Sequence, residues 1–284
     1  MIFIGEKING MFSTIRKAIE ERNSEIIIKE AEKQLEAGAD YLDVNVGTAK
    51  DKIEAMKWLV NTIQQIPNVK LCIDSPNAEV LEEGIKLCKN RPFLNSVSAE
   101  QSKIERIMPI AQKYNTKLIA LAISENGVPA DSDEIIANSA IIMEATAEYG
   151  IKNEDLYIDP VVLPVNVSQD NPRKVLTAIS AIKELDIPAP RTIVGLSNIS
   201  QKCSDRKIIN RTFLAMAKYA GLDAAIVDAC DEELMKTNLT SEILLNQTIY
   251  CDSFLKKWDL KYFVYETDVL VRPALWINLQ YFNH

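Results

Sequence analysis

Histidine is almost missing from this chain: the only one is His284, the last of 284 residues. Imidazole titrates nearest neutral pH and most often activates a nucleophilic Ser or Cys. Its absence from the body of the chain excludes a Ser-His or Cys-His pair, a His-x-x-His metal site and a His general base. The five cysteines (Cys72, Cys88, Cys203, Cys230, Cys251) are odd in number, widely spaced and free of any C-x-x-C. They read as reduced thiols packed as small apolar groups; a zinc site would need three or four to converge. There is no Gly-x-Gly-x-x-Gly after the first apolar run and no Walker loop. No Lys/Arg tract is dense enough to track a phosphate backbone, and a net charge of −8 with pI near 5.0 opposes nucleic acid as a partner. Apolar runs are strand-length, well short of the roughly 18 residues of a membrane span. The start, Met1-Ile-Phe-Ile-Gly-Glu6, shows no basic flank or cleavage site, so a cytoplasmic protein is expected.

What is present is a large apolar content, 47%, arranged in a repeating cycle. Ile2–Ile8 reads as a strand and Glu25–Ala37 as a helix stopped at Gly38. Strands at 41–47, 71–75, 93–98, 117–123 and 156–160 alternate with helices at 53–66, 79–89, 104–114, 132–149 and 171–185. Arg191-Thr-Ile-Val-Gly195 climbs as a strand toward Ser197-Asn198, with a helix over 208–220. A last strand at 224–228 and helix at 231–245 follow. Eight strand–helix units without hairpin signals predict an α/β fold, a (β/α)8 TIM barrel over residues 1–258. A doubly wound open sheet is the alternative, against which the missing phosphate-binding glycines stand. The aromatic stretch 259–284 leaves the cycle and is expected to be a C-terminal tail of unassigned role.

Polar residues collect at the strand ends: Glu6 and Asn9, Asp43 and Asn45, Asp74, Asn95 and Ser96, Ser124, Asp159, Asn198, Asp228. Any one of them could simply cap a helix or turn the backbone, and Asp228 with Asp231 suits that role well. Eight or nine in register exceed what capping requires. Such a crown, rich in acceptors and poor in fixed cations, suits a ligand with a donor-rich edge. A 2-amino-pyrimidinone, the recognition edge of a pterin, offers adjacent N–H groups to a carboxylate, and Asn can serve its carbonyl and ring nitrogens. A metal held by three carboxylates fits the residue types equally well.

The stretches Ile73-Asp-Ser75, Leu94-Asn-Ser-Val-Ser98, Tyr157-Ile-Asp-Pro160, Gly195-Leu-Ser-Asn-Ile-Ser-Gln201, Ile209-Asn-Arg-Thr-Phe-Leu214, Asp228-Ala-Cys-Asp231 and Ile243–Phe254 carry a resemblance. Through them, residues 1 to about 258 resemble the methyltetrahydrofolate:corrinoid protein methyltransferases of the pterin-binding barrel group. The resemblance implies that Asp74, Asn95 and Asp159 hydrogen-bond the pterin and that Asn198 lies beside N5, the methyl-bearing nitrogen. Gln201 and Arg206 would belong to the loop closing over the folate, Gly195 and Ser197 would shape the pocket, and Asp43 would join the polar network around N5. Asn198, Asp43 and Asp159 are thus the expected catalytic set, with no metal. The substrate implied is tetrahydrofolate or its 5-methyl form, with a corrinoid (cobalamin) carried by a partner protein, and a homodimer is implied likewise. Two alternatives remain: a dihydropteroate synthase, whose strand-end lysine and late basic motif are replaced here by Ser197-Asn198 and Asp228–Asp231, and a folate-binding barrel without catalysis.

Overall fold

Asx side chains cap five of the described helices. Asn23, Asp51, Asn77, Asp131 and Asp231 each accept a hydrogen bond from a backbone N–H two or three residues on, satisfying donors the first helical turn leaves free. The computed structural model describes residues 1–250, so the aromatic tail from Asp259 lies outside the described residues. Strand β1 (Ile2–Asn9) leads into helices α1 (Ser13–Glu20) and α2 (Ser24–Glu36). Then come β2 (Tyr41–Asn45), α3 (Lys52–Ile63), β3 (Leu71–Asp74), α4 (Ala78–Ile85), β4 (Phe93–Ser98) and α5 (Gln101–Lys113). The chain continues through β5 (Lys117–Leu121), α6 (Ser132–Glu148), β6 (Leu156–Asp159), α7 (Asn171–Ile182), β7 (Arg191–Gly195) and α8 (Arg206–Tyr219). Strand β8 (Ala224–Val227) and α9 (Glu232–Leu244) complete the compact unit Met1–Thr248.

Neighbouring strands pair in parallel in sequence order, and β8 closes on β1, giving the expected (β/α)8 barrel. Helix α1 was not anticipated. Its apolar spacing (Ile15, Ala18, Ile19) is helical, but it lasts two turns and Phe12 at its start makes no side-chain cap.

Each strand sends one residue into a central cluster: Ile4, Tyr41, Cys72, Phe93, Ile119, Tyr157, Ile193 and Ala224. Tyr41 and Tyr157 both meet Phe93 edge to face, with centroids 4.8 Å apart in each pair. The ammonium of Lys117, the first residue of β5, lies 5.2 to 5.9 Å from all three ring centroids. This aromatic layer with its cation closes the amino-terminal end. A ligand can therefore enter the barrel only from the carboxyl end.

There the loops after β1 and β2 cross in contact. Gly47 adopts φ +58°, and a methyl group on it would lie 2.6 Å from the Gly10 carbonyl carbon. A methyl on Gly10 would lie 2.6 Å from the Val46 carbonyl oxygen. Both obstacles are backbone, which has no rotamer to yield. Gly47→Ala is expected to lower unfolding free energy by about 2 kcal/mol or more, measured by urea denaturation; an unchanged midpoint would show that the two loops separate freely.

Candidate active site

Side chains two residues apart on a strand share a face. One step beyond the apolar cluster, toward the carboxyl end, the inward positions are therefore Glu6, Asp43, Asp74, Asn95, Leu121, Asp159, Gly195 and Ile226. An oily layer is thus followed at once by a layer holding four carboxyl groups and an amide. The residues expected to bind the pterin, Asp74, Asn95 and Asp159, are brought together here, and Asp43 stands beside them.

The layer is internally bonded. Asn95 Nδ2 donates to Asp43 Oδ1 at 3.2 Å, and Asn45 Nδ2 donates to Asp74 Oδ2 at 2.7 Å. Asp159 accepts the N–H of Val161 at 2.8 Å and has the N–H of Gly195 within reach. Val161 serves this bond from φ +68°, an uncommon conformation for a β-branched residue. Asp43 and Asp159 are only 3% and 8% exposed.

Burial is the largest influence on the protonation of these groups, outweighing Lys7 beside Glu6. It raises the pKa of Glu6, Asp43 and Asp74, Asp43 most strongly, where the neighbouring Asp74 adds like-charge repulsion. Burial takes Asp159 to about 7 against its two backbone donors. The thiol of Cys72, directly below, is raised for the same reason.

Asn198 lies just beyond the end of its strand. β7 stops at Gly195, and Asn198 lies in the short 3-10 turn Leu196–Ser200 above it, exposed. Its Oδ1 accepts from Gln201 Nε2 at 2.9 Å. Its Nδ2 folds back over the inward face of Gly195, where a side-chain methyl would come within 2.8 Å. Glycine at 195 is what gives the amide room over the mouth. Arg206 Nη2 donates to the Ser197 carbonyl at 2.9 Å and Nε to Ser200 Oγ at 3.1 Å, so the guanidinium staples this turn.

Other crown members do local work. Asn9 accepts from Met11 N–H, Ser124 from Asn126 N–H and Asp228 from Cys230 N–H, while Asp231 caps α9; Ser96 is half-buried at the β4 bulge. Sequence reasoning missed Lys7, which bridges Asp228 at 2.8 Å and Glu6 at 3.6 Å; its only signal was adjacency to Glu6. Among the described residues no three His, Cys, Asp or Glu side chains converge to hold a metal, and no helix is long and apolar enough to cross a membrane.

The barrel thus carries a sealed apolar floor below a layer of buried carboxyls and an amide. Residues 12–228 match the family described as pterin binding enzyme, and the chain belongs to that family. It is 31% identical over 259 residues to the methylcorrinoid:tetrahydrofolate methyltransferase of Eubacterium limosum, covering 90% of this chain and 95% of that one. It is 28% identical over 242 residues to methionine synthase of Mycobacterium leprae, spanning 81% of this chain but 20% of that longer protein. Dihydropteroate synthases of Yersinia pestis and Vibrio fischeri share the fold, with TM-scores of 0.62 and 0.63 at 16% identity, over 86% and 88% of this chain and 93% and 94% of theirs.

The Asp159 carboxyl holds its proton more tightly folded than unfolded. Its stabilising contribution is therefore full below the usual 3.8 and is lost as pH rises through about 7. Asp159→Asn keeps the shape without the charge. The ligand-free variant should match the parent near pH 4 and exceed its stability at pH 8 by about 2–4 kcal/mol. Urea unfolding at both pH values checks this, and identical behaviour at pH 8 would contradict it.

Proposed function

We propose that this protein moves a methyl group between N5 of 5-methyltetrahydrofolate and the cobalt of a corrinoid carried by a separate protein. The observation that carries the reading is the inward layer Asp74, Asn95 and Asp159, with the Asn198 amide lodged above it over Gly195. The similarity to a methylcorrinoid:tetrahydrofolate methyltransferase across nearly the whole chain supports the same reading.

Asp159 accepts the adjacent N–H donors of the pterin's amino-pyrimidinone edge, a bidentate geometry that favours its ionised form. Asn95 and Asp74 complete the ring's polar contacts, and Asn45 and Asp43 hold those two side chains in place. At the opposite edge N5 meets Asn198. A tertiary amine leaves poorly unless N5 is protonated, because departure otherwise places a full negative charge on nitrogen. Asn198 can turn its amide and accept from the N5–H that forms, stabilising the charged state. The proton comes through water and the Asp43 carboxyl, whose hold on a proton is strengthened by burial and by the neighbouring Asp74. The corrinoid supplies the cobalt that takes or gives the methyl group. Its carrier reaches the mouth past exposed Met11, Phe12, Val128, Val167 and Ile208, all on the carboxyl-end loops or at the start of α8. A cytoplasmic homodimer completes the reading; sedimentation equilibrium at the monomer mass would contradict the dimer.

The test is spectrophotometric, following cobalt(I) cobalamin with 5-methyltetrahydrofolate as methylcobalamin forms. Turnover is expected, and Asn198→Ala should lower kcat by about 10²–10³-fold with methyltetrahydrofolate affinity within about threefold. Equal losses in both would make Asn198 a binding group only. Failure of the parent protein to bind the folate would overturn the assignment.

A further inference from the structure

We propose that Glu6 is a positioning residue for methyl transfer, gripping the Asn198 turn from inside the barrel mouth through Ser197. The proposal rests on the methyltransferase reading and adds to it a residue outside the pterin contacts. Three observations converge on Glu6.

First, strand β1 breaks its register with β2 between Gly5 and Ile8, a bulge centred on Glu6 and Lys7. The Lys7 N–H leaves the strand ladder and is caught at 3.0 Å by Oε1 of Gln34, a fully buried side chain of α2. Bulges re-aim side chains, and this one has a buried amide dedicated to it. Second, the re-aimed Glu6 side chain is only 17% exposed and lies within hydrogen-bonding reach of the Ser197 side chain, one residue before Asn198. Third, the surrounding charges fix its direction. Lys7 reaches both Glu6 and Asp228, Arg206 is the further cation nearby, and Asp43 and Asp228 repel the carboxylate from the other sides.

The Leu196–Ser200 turn is thus held from two directions. Arg206 grips its backbone and Ser200 from α8, and in the proposal Glu6 holds Ser197 from β1. Among the described residues the Asn198 side chain has the Gln201 hydrogen bond and the space over Gly195, so its placement over N5 follows the placement of the turn. A small displacement there acts on the chemical step far more than on pterin binding, which rests on other strands.

Glu6→Ala and Glu6→Gln test this with cobalt(I) cobalamin as methyl acceptor. Glu6→Ala is expected to lower kcat by about 10–100-fold with KM for methyltetrahydrofolate unchanged. Glu6→Gln, which keeps an acceptor oxygen for Ser197, should recover most of that loss. Hydrogen–deuterium exchange of residues 196–201 should quicken in Glu6→Ala and not in Glu6→Gln. An unchanged kcat in Glu6→Ala, a KM that rises by the factor kcat falls, or unaltered exchange in the turn would each overturn the proposal. The exchange measurement needs no turnover, so faster exchange in a protein that transfers no methyl group would sink the methyltransferase reading while leaving the Glu6 grip standing.

Discussion

Four carboxyl groups are buried on the inner face of one barrel, on top of an apolar floor, with Lys7 as a cation beside Glu6. That is the constraint on which the site depends. Taking a carboxylate out of water costs several kcal/mol unless donors replace the water. The chain supplies a limited set: Asn95 for Asp43, Asn45 for Asp74, backbone N–H groups for Asp159. The remaining demand shows as raised pKa values, with Asp159 at about 7, and in the proposed reading a ligand rich in N–H groups meets it.

The fold serves that arrangement. The aromatic floor under Lys117 keeps water from entering from below, and the Gly10–Gly47 crossing lets the first two loops lie low at the rim. Gly195 ends its strand without a side chain and so makes a seat for the Asn198 amide. Binding and reaction are thereby separated in the structure. In the proposed reading the pterin's donor edge is read by strands β3, β4 and β6, whereas N5 faces the short turn after β7.

The barrel was legible in the sequence because its strands are apolar runs bounded by turn residues and its helices carry caps and closing glycines, as Asn23 and Gly38 do for α2. The inward layer was legible too, since Asp43, Asp74, Asn95 and Asp159 fall at strand ends with the spacing of one face. Three features were not. Helix α1 has no start signal. The end of β7 at Gly195 was legible, but not that the residues after it form a 3-10 turn that brings the Asn198 amide back over Gly195. The proposed tie between Glu6 and Ser197 depends on a register slip in β1 that no local pattern announces, and it joins residues far apart in the sequence.

The most direct test of this account is the proton count on binding. Titrating the protein with 5-methyltetrahydrofolate at pH 7 by calorimetry, in two buffers of different ionisation enthalpy, reports protons exchanged with solvent. If the donor edge of the pterin converts Asp159 to its ionised form, protons are released and the heats differ between buffers, and the difference disappears in Asp159→Asn. Heats that do not depend on the buffer, with binding intact, would contradict the claim that buried carboxyls hold protons until the ligand displaces them.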